Sequence, residues 1–394
     1  MKKLLFVVNN FNIGGPQKSL LALLDNINYD LFDVSLVSLE SDGTLIKYLN
    51  DNVKLIQVSE LFTAYTLPSK NTFYYFKVML KHRKYLAAID FLLILLKYLL
   101  NRDMNPERQR FWKRHSKELP RIKQQFNASF GVSSGLSTYF IVDCIKSEKK
   151  YHWVRGDYSR TSIDKNVDDY YFSKVDGSLS VSKECADIFD NIFPFMKGKM
   201  KVFYNVLPIK FYERTASNTN EIAEDQSIKF LTVTRIDPDK GLDMAIDACE
   251  TLIKKGVDFK WYILGDGKYR DKVERLIEDR NLKNHIFLLG FKLNTFEYIK
   301  RCDVFVHPSR SEGKSNAVDE ALYLKKPIVI TNYTTVREQI TDNVNGFICG
   351  MSGSEIAYKI EYVLDNMDDL NRKLSTNTTY DYDKDPTGFF MSLL

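Results

Sequence analysis

Residues Ser309–Leu322, SRSEGKSNAVDEAL, hold the densest set of side chains able to do chemistry. The segment follows a candidate strand over 303–307, and its pattern opens a helix. Glu312 and Glu320 are separated by seven residues. Between them Gly313, with no Cβ, permits a ligand close to the backbone, and the amides that begin the following helix can hold a phosphate. Glu320 falls about one turn into that helix. One carboxylate at a strand end and another on the helix can therefore grip two hydroxylated groups on either side of a diphosphate. A bare pair of glutamates at this spacing is ordinarily solvated surface. The strand–glycine–helix setting and the partners below argue for a site.

The first partner is Thr234–Gly241, TRIDPDKG, on a strand-to-helix loop. Arg235 and Lys240 offer two cationic heads to one anion, the arginine in bidentate fashion. Asp237-Pro-Asp239 sits between them and reads as loop. Gly265-Asp266-Gly267 directly follows the strand 259–264 and lies where parallel sheets place ligands, outside the carboxyl ends of strands. A plain turn would also use these residues. Phe291, after the next strand, can flank a base or simply pack at an edge. In the first half, Asn12–Lys18, NIGGPQK, puts Gly14, Gly15 and Pro16 at a tight strand-to-helix turn. It is not G-x-G-x-x-G, so a nicotinamide oxidoreductase is unsupported.

These loops need a scaffold, and the rest of the chain supplies one. Apolar runs alternate with helical patterns almost throughout. Strands are expected over 4–8, 34–39, 53–58, 128–132, 151–155, 178–181 and 201–204, then over 230–234, 259–264, 286–289, 304–307, 327–331 and 346–348. Helices of the second half are expected at about 241–255, 268–280, 295–301, 316–325, 335–341 and 353–366. This rhythm implies α/β architecture with parallel sheets and right-handed crossovers. The polar run 213–227, ERTASNTNEIAEDQS, separates two doubly wound domains, expected at 1–212 and 228–375. A terminal segment, 376–394, returns to aromatic residues and is expected to pack back on the first domain.

One stretch breaks the rhythm. Residues 73–125 show no convincing strand and read as two long helices, and 86–100 is strongly apolar. Residues 77–125 hold thirteen Lys/Arg against four Asp/Glu, so the basic excess of this chain, +5 in total, is concentrated there. A basic, apolar, aromatic-flanked segment suits an anionic membrane surface. An ordinary helical insertion with one core face and one solvated face is the plain alternative. The small total charge and the lack of a recognisable module argue against nucleic acid. At 394 residues, with 44 % hydrophobic and 27 % charged residues, the chain is neither disordered nor fibrous. Its five cysteines are odd in number and widely spaced, which fits reduced, buried thiols rather than disulfides or zinc. The N-terminal apolar run 4–8 is too short for a signal peptide, and no run of about 18 uncharged apolar residues predicts a span.

Taken together, Gly14-Gly15, Arg235 with Lys240, Gly265-Asp266-Gly267 and the two glutamates of SRSEGKSNAVDEAL followed by Pro327 resemble the retaining glycosyltransferases of family 4, with GT-B architecture. The resemblance covers the second domain closely. It covers the first more loosely, through the Gly-Gly loop, Ser180-Val181-Ser182 and Tyr204-Asn205. It implies two Rossmann-like domains facing across a cleft, with a helical insertion in the first. A nucleotide-diphosphate sugar, most often a UDP-sugar, would be the donor and a poly- or oligosaccharide, including a lipid-linked one, the acceptor. Arg235 and Lys240 would hold the diphosphate and stabilise its growing charge. Glu312 would contact the donor sugar and Glu320 the ribose. Amides of Ser315, Asn316 and Ala317 would touch phosphate, and Gly14, Gly15, Gly265, Gly313 and Phe291 would line the donor. The resemblance implies no metal and no cofactor, a hexosyl- or N-acetylhexosaminyl-transferase of surface polysaccharide synthesis, and a cytoplasmic protein peripheral on the inner face of the membrane. Where the family often carries Trp-Ile-His-Asn-Asp, this chain has Trp153-Val154-Arg155-Gly156-Asp157. Arg155 therefore stands in the place of a histidine near the reacting centre. That exchange is the motif support for an alternative, a non-catalytic GT-B subunit that scaffolds a partner transferase.

Overall fold

Strands made of unbroken apolar runs must be covered on both faces, and helices between them supply the cover. The computed structural model describes every residue except 41–42, 68–70, 101–103, 134, 216–220 and 377–384. The described chain forms two compact units, Met1–Tyr204 with Asp385–Leu394, and Asn205–Lys384.

The first unit carries a seven-stranded sheet in the order β3-β2-β1-β4-β5-β6-β7, every pairing parallel. Its strands are β1 (Lys2–Val8), β2 (Phe32–Ser38), β3 (Lys54–Leu55), β4 (Ile122–Gly131), β5 (Ile145–Val154), β6 (Gly177–Ser180) and β7 (Met200–Val202). The second unit holds six parallel strands in the order β10-β9-β8-β11-β12-β13. These are β8 (Ile228–Val233), β9 (Phe259–Leu264), β10 (Ile286–Gly290), β11 (Val304–His307), β12 (Ile328–Thr331) and β13 (Phe347–Cys349). All thirteen strands expected from the sequence are present. Each sheet runs outward in both directions from a switch point, β1/β4 in the first and β8/β11 in the second, which is the doubly wound Rossmann-like order. In the second unit, Phe230, Trp261, Val304 and Val329 point to one core, and Leu231, Tyr262, Phe305 and Ile330 to the other. All five cysteines are free and buried.

Four expectations need correction. The insertion holds three helices, not two long ones: Thr72–Lys81, Tyr85–Leu100 and Asn105–His115. Arg83 takes a positive φ of 58° after the first, which ends that helix. β4 also starts at Ile122, inside the stretch expected to lack strand. The helix expected at 335–341 is a single 3₁₀ turn, Val336–Glu338, after which Gln339 O accepts from Asn345 Nδ2 instead of extending a helix. Finally, Asn205–Tyr212 belongs to the second unit, not the first. The Tyr212 ring stacks on Phe296 at 4.6 Å, and its hydroxyl donates to Glu320.

Of the polar run expected as linker, 216–220 lies outside the described residues, as does 377–384 of the terminal segment. Asp385–Leu394 of that segment belongs to the first unit. There Phe390 packs against Phe6, Phe130, Trp153 and Phe203, and the Tyr151 hydroxyl donates to Leu393 O at 2.7 Å. In the insertion, Val78, Met79, Ala87, Ala88, Phe91, Ile94, Phe111 and Trp112 join the core of the first unit.

Candidate functional site

In the second unit β8 and β11 lie side by side, and the chain leaves them toward opposite edges of the sheet. The crevice outside their carboxyl ends is where such folds bind ligands. Two loops meet there: 234–241 after β8 and 308–315 after β11. Gly241 makes the meeting possible. Its φ is +65°, and a Cβ on it would lie 2.0 Å from Pro308 O, so any side chain would drive the loops apart. Arg310 adds a second tie, with its guanidinium bonded to both carboxylate oxygens of Asp243 at 2.8 and 2.6 Å and its amide donating to Asp239 O at 2.8 Å.

The contact so enforced joins Lys240 to Glu312. The Lys240 side chain is only 8 % exposed, with Nζ 3.0 Å from Glu312 Oε1. The same ammonium donates to Ser311 O at 3.0 Å and lies 3.4 Å from Asp239 Oδ2. His307, the last residue of β11, places Nε2 3.2 Å from the same Glu312 oxygen. A carboxylate only accepts, so that nitrogen carries the proton. The His307 Nδ1 and the buried Tyr333 hydroxyl have no hydrogen-bond partner among the described residues, and the two rings pack at 6.0 Å. Burial pushes the Glu312 carboxyl up, but His307 and Lys240 outweigh it and hold the pKa down at about 2, against an ordinary 4.5.

Because the folded value lies below the unfolded one, this ionisation stabilises the protein above about pH 4.5 and is lost as pH falls toward 2. The contribution is on the order of 3 kcal/mol. Glu312→Gln removes it, so the stability gap between wild type and variant in urea unfolding is expected to be widest at pH 7 and to close on acidification below pH 4. A gap independent of pH would show that the Glu312 charge is not the source.

The other expected residues are distributed as follows. Arg235 is 72 % exposed, with Nη1 2.9 Å from Asp237 Oδ2. Glu320 is buried in the helix Asn316–Tyr323 and has both oxygens engaged, Oε1 by the Tyr212 hydroxyl at 2.5 Å and Oε2 by Thr295 Oγ1 at 2.8 Å. Gly313 bends the chain between Glu312 and that helix. Of the three amides expected to touch phosphate, that of Ser315 has a partner within the fold. Its N–H donates to Gln339 Oε1 at 2.9 Å, while Gln339 Nε2 donates back to Ser315 O at 2.9 Å. Asn316 and Ala317 open the helix, and the Asn316 side chain accepts from Asn205 at 2.6 Å. Gly265 has φ +135°, and a Cβ there would lie 1.7 Å from Thr234 O. The 265–267 turn thus packs directly on the loop that carries Arg235, and the Ile236 amide donates to Asp266 O at 3.0 Å. Phe291 is exposed on the loop after β10.

In the first unit, Gly14 precedes and Gly15 begins the helix Gly15–Asn26 after β1. Arg155 follows β5 and reaches this turn: Nη2 donates to Pro16 O at 2.7 Å, and the guanidinium sits 4.8 Å from the centre of the Trp153 ring. Its Nη1 is buried with no hydrogen-bond partner among the described residues, and burial lowers its pKa to about 9. His152 points away into the core, where it stacks on Phe172 at 4.4 Å. Burial lowers its pKa to about 3, so it stays neutral.

Sequence reasoning missed the residues that hold these groups. Asp237 and Asp239, read as plain loop, each face one of the two cations. Alternating charge in TRIDPDK was their signal. His307 had a weak signal as a histidine closing an apolar strand. Tyr212, Thr295 and Gln339 had none, since each lies far in sequence from the group it holds.

Two doubly wound parallel units, the second with a switch-point site of this kind, define the GT-B class. The family of glycosyl transferases group 1 matches residues 214–380. An uncharacterized glycosyltransferase of Methanocaldococcus jannaschii, MJ1059, is 31 % identical over 178 residues, 43 % of this chain and 43 % of that protein. A Campylobacter jejuni N-acetylgalactosamine-N,N'-diacetylbacillosaminyl-diphospho-undecaprenol 4-alpha-N-acetylgalactosaminyltransferase is 29 % identical over 191 residues, 47 % of this chain and 50 % of that one. The chain thus spans about half the length of these curated relatives. Among solved structures, Anabaena Alr3699/HepE in complex with UDP-glucose superposes with a TM-score of 0.69, covering both chains fully at 15 % identity. The second unit thus matches the group 1 glycosyltransferase family, and the chain has the GT-B fold.

Proposed function

We propose that the chain is a retaining glycosyltransferase of family 4. It moves a hexosyl or N-acetylhexosaminyl group from a nucleotide-diphosphate sugar, a UDP-sugar in the first instance, to a poly- or oligosaccharide acceptor. A lipid-linked acceptor at the inner face of the cell membrane, in surface polysaccharide synthesis, agrees with the Campylobacter relative, whose name specifies a diphospho-undecaprenol substrate. The donor is supported by the UDP-glucose held by the superposed Anabaena protein.

The observation that carries this reading is the Lys240–Glu312 contact at the β8/β11 switch point. The ammonium, joined by the exposed charge of Arg235, neutralises the diphosphate as the glycosidic bond breaks, with side chains rather than a metal ion supplying the positive charge. Lys240 now has three acceptors around it, and phosphate oxygens would displace Asp239, the most distant of them. Glu312, ionised at neutral pH, accepts hydrogen bonds from sugar hydroxyls. Glu320 is poised to accept from the ribose by exchanging one of its two present donors. Arg155 presents a cationic donor where the family histidine would stand.

The test is a panel of nucleotide sugars incubated with the protein and a polyprenyl-linked oligosaccharide, with nucleoside-diphosphate release measured and the product anomer assigned by NMR. Release from at least one donor with retained configuration is expected. Donor binding with no release from any donor would instead support the scaffolding alternative, for which the Arg155 exchange is the supporting observation.

A further inference from the structure

The insertion in the first unit has an outer face that its own fold does not cover. The helix Tyr85–Leu100 is apolar on both sides. Ala87, Ala88, Phe91 and Ile94 are buried in the core. Leu86, Ile89, Leu93 and Leu96, spaced at three and four residues, form an opposite stripe that is exposed, Leu86 to 75 %. On the preceding helix Phe73 and Leu80 are also exposed, and Tyr74 and Tyr85 flank the stripe. Soluble proteins rarely leave a continuous apolar surface of this kind open.

Charge selects the occupant. Lys77, Lys81 and Arg83, all exposed, have no carboxylate partner among the described residues. Lys77 Nζ lies 4.5 Å from the centre of the Phe73 ring, so cation and aromatic belong to one surface. Asp90, on the same helix as the leucines, is already held by Arg114 at 2.6 Å and by His115 at 3.0 Å. An acidic surface with an apolar layer beneath it satisfies both halves of the patch. A second copy of the chain does not, because a two-fold contact sets the patch against its own copy, and the carboxylate within it, Asp90, is already held by Arg114 and His115.

We infer that the face formed by Leu86, Ile89, Leu93 and Leu96, with Lys77, Lys81 and Arg83 beside it, docks the protein on an anionic lipid bilayer. The helix lies in the interface plane, its leucines among acyl chains and the tyrosines and cations at the headgroups. Among the described residues no helix is long and apolar enough to cross a membrane, and 16 residues fall short of the bilayer core. This relocates the surface expected over 73–125. Arg114 is committed to Asp90, and Lys113 to Asn166 O at 3.4 Å and the Tyr170 ring, so the basic residues of the Asn105–His115 helix are not its centre. The surface rests on the reading of a lipid-linked acceptor and specifies how the enzyme reaches it.

The test is sedimentation of the full chain with vesicles of phosphatidylglycerol and phosphatidylcholine in equal parts, against phosphatidylcholine alone. Binding to the anionic vesicles is expected. Leu86→Glu with Leu93→Glu should weaken it by roughly tenfold per leucine, and glutamine at Lys77, Lys81 and Arg83 by roughly fivefold per cation. All five residues are exposed, so melting temperature and nucleoside-diphosphate release to a water-soluble acceptor should stay at the wild-type level. That second readout separates failure of this surface from failure of the transferase reading. A wild type that stays in the supernatant, or a leucine variant that sediments like wild type, overturns the proposal. So does a wild-type dimer in lipid-free solution that the leucine variant dissolves, which would assign the face to a second copy.

Discussion

Lys240→Ala is expected to slow nucleoside-diphosphate release by roughly 10²–10³-fold, mostly in kcat, the loss typical for one preorganised donor to a developing oxyanion. The ammonium is nearly shielded from water, with a carboxylate, a carbonyl and a second carboxylate around it. A cation held in such a place requires no reorganisation as the diphosphate leaves, and little water screens it. Arg235 differs. Its guanidinium is largely in solvent and paired with Asp237, so Arg235→Ala should cost less than Lys240→Ala. Steady-state kinetics on both variants, with circular dichroism as the folding check, reads the difference. An alanine variant at position 240 with wild-type kcat would remove the electrostatic role assigned to this lysine. Glu312 keeps His307 as a partner in that variant, so the loop should remain in place.

Asp319→Ala should cost about 3–5 kcal/mol of folding stability, as is usual when one member of a buried ion pair is deleted. Lys314 and Asp319 form an ion pair in which neither side chain is more than 2 % exposed. Gln339 Nε2 adds a hydrogen bond to Asp319 Oδ1 at 2.8 Å while clamping Ser315. The pair pins the two ends of the bend that carries Glu312 into the helix Asn316–Tyr323. Alanine at 319 leaves the Lys314 ammonium buried without its counter-ion. The double variant Lys314→Met with Asp319→Leu should regain most of the loss, because it removes both charges and refills the volume. Urea unfolding of the wild type, the single and the double variant checks both statements. A single variant within 1 kcal/mol of wild type would mean that the ammonium escapes to water.

Much of the scaffold was legible because parallel strands covered on both faces write an unbroken apolar run into the sequence. That is why β9 and β11 appear over the very residues the pattern marked, and why the loops after β8, β9 and β11 could be singled out. The errors came where a local pattern competes with a distant partner. The stretch 73–125 reads as two long helices, and the positive φ at Arg83 marks one of the breaks that make it three. The helix at 335–341 fails where Gln339 is engaged with Ser315, 24 residues away, and with the Asn345 side chain beyond the expected helix end. Tyr212 was placed in the wrong unit for the same reason: its partners are Thr295, Phe296 and Glu320.

By itself the amino-acid order determined the α/β class, the two-unit division and the residue types that stand at strand ends, because these follow from periodicity and from glycine's backbone freedom within a few residues. Only the tertiary structure decided which of them meet. It brought Lys240 onto Glu312 through the Gly241–Pro308 approach. It enclosed Glu320 between Tyr212 and Thr295, left Arg235 in solvent and turned one face of the Tyr85–Leu100 helix outward. Such outcomes depend on side chains tens to a hundred residues apart settling into one packed arrangement, and no local pattern encodes that distance.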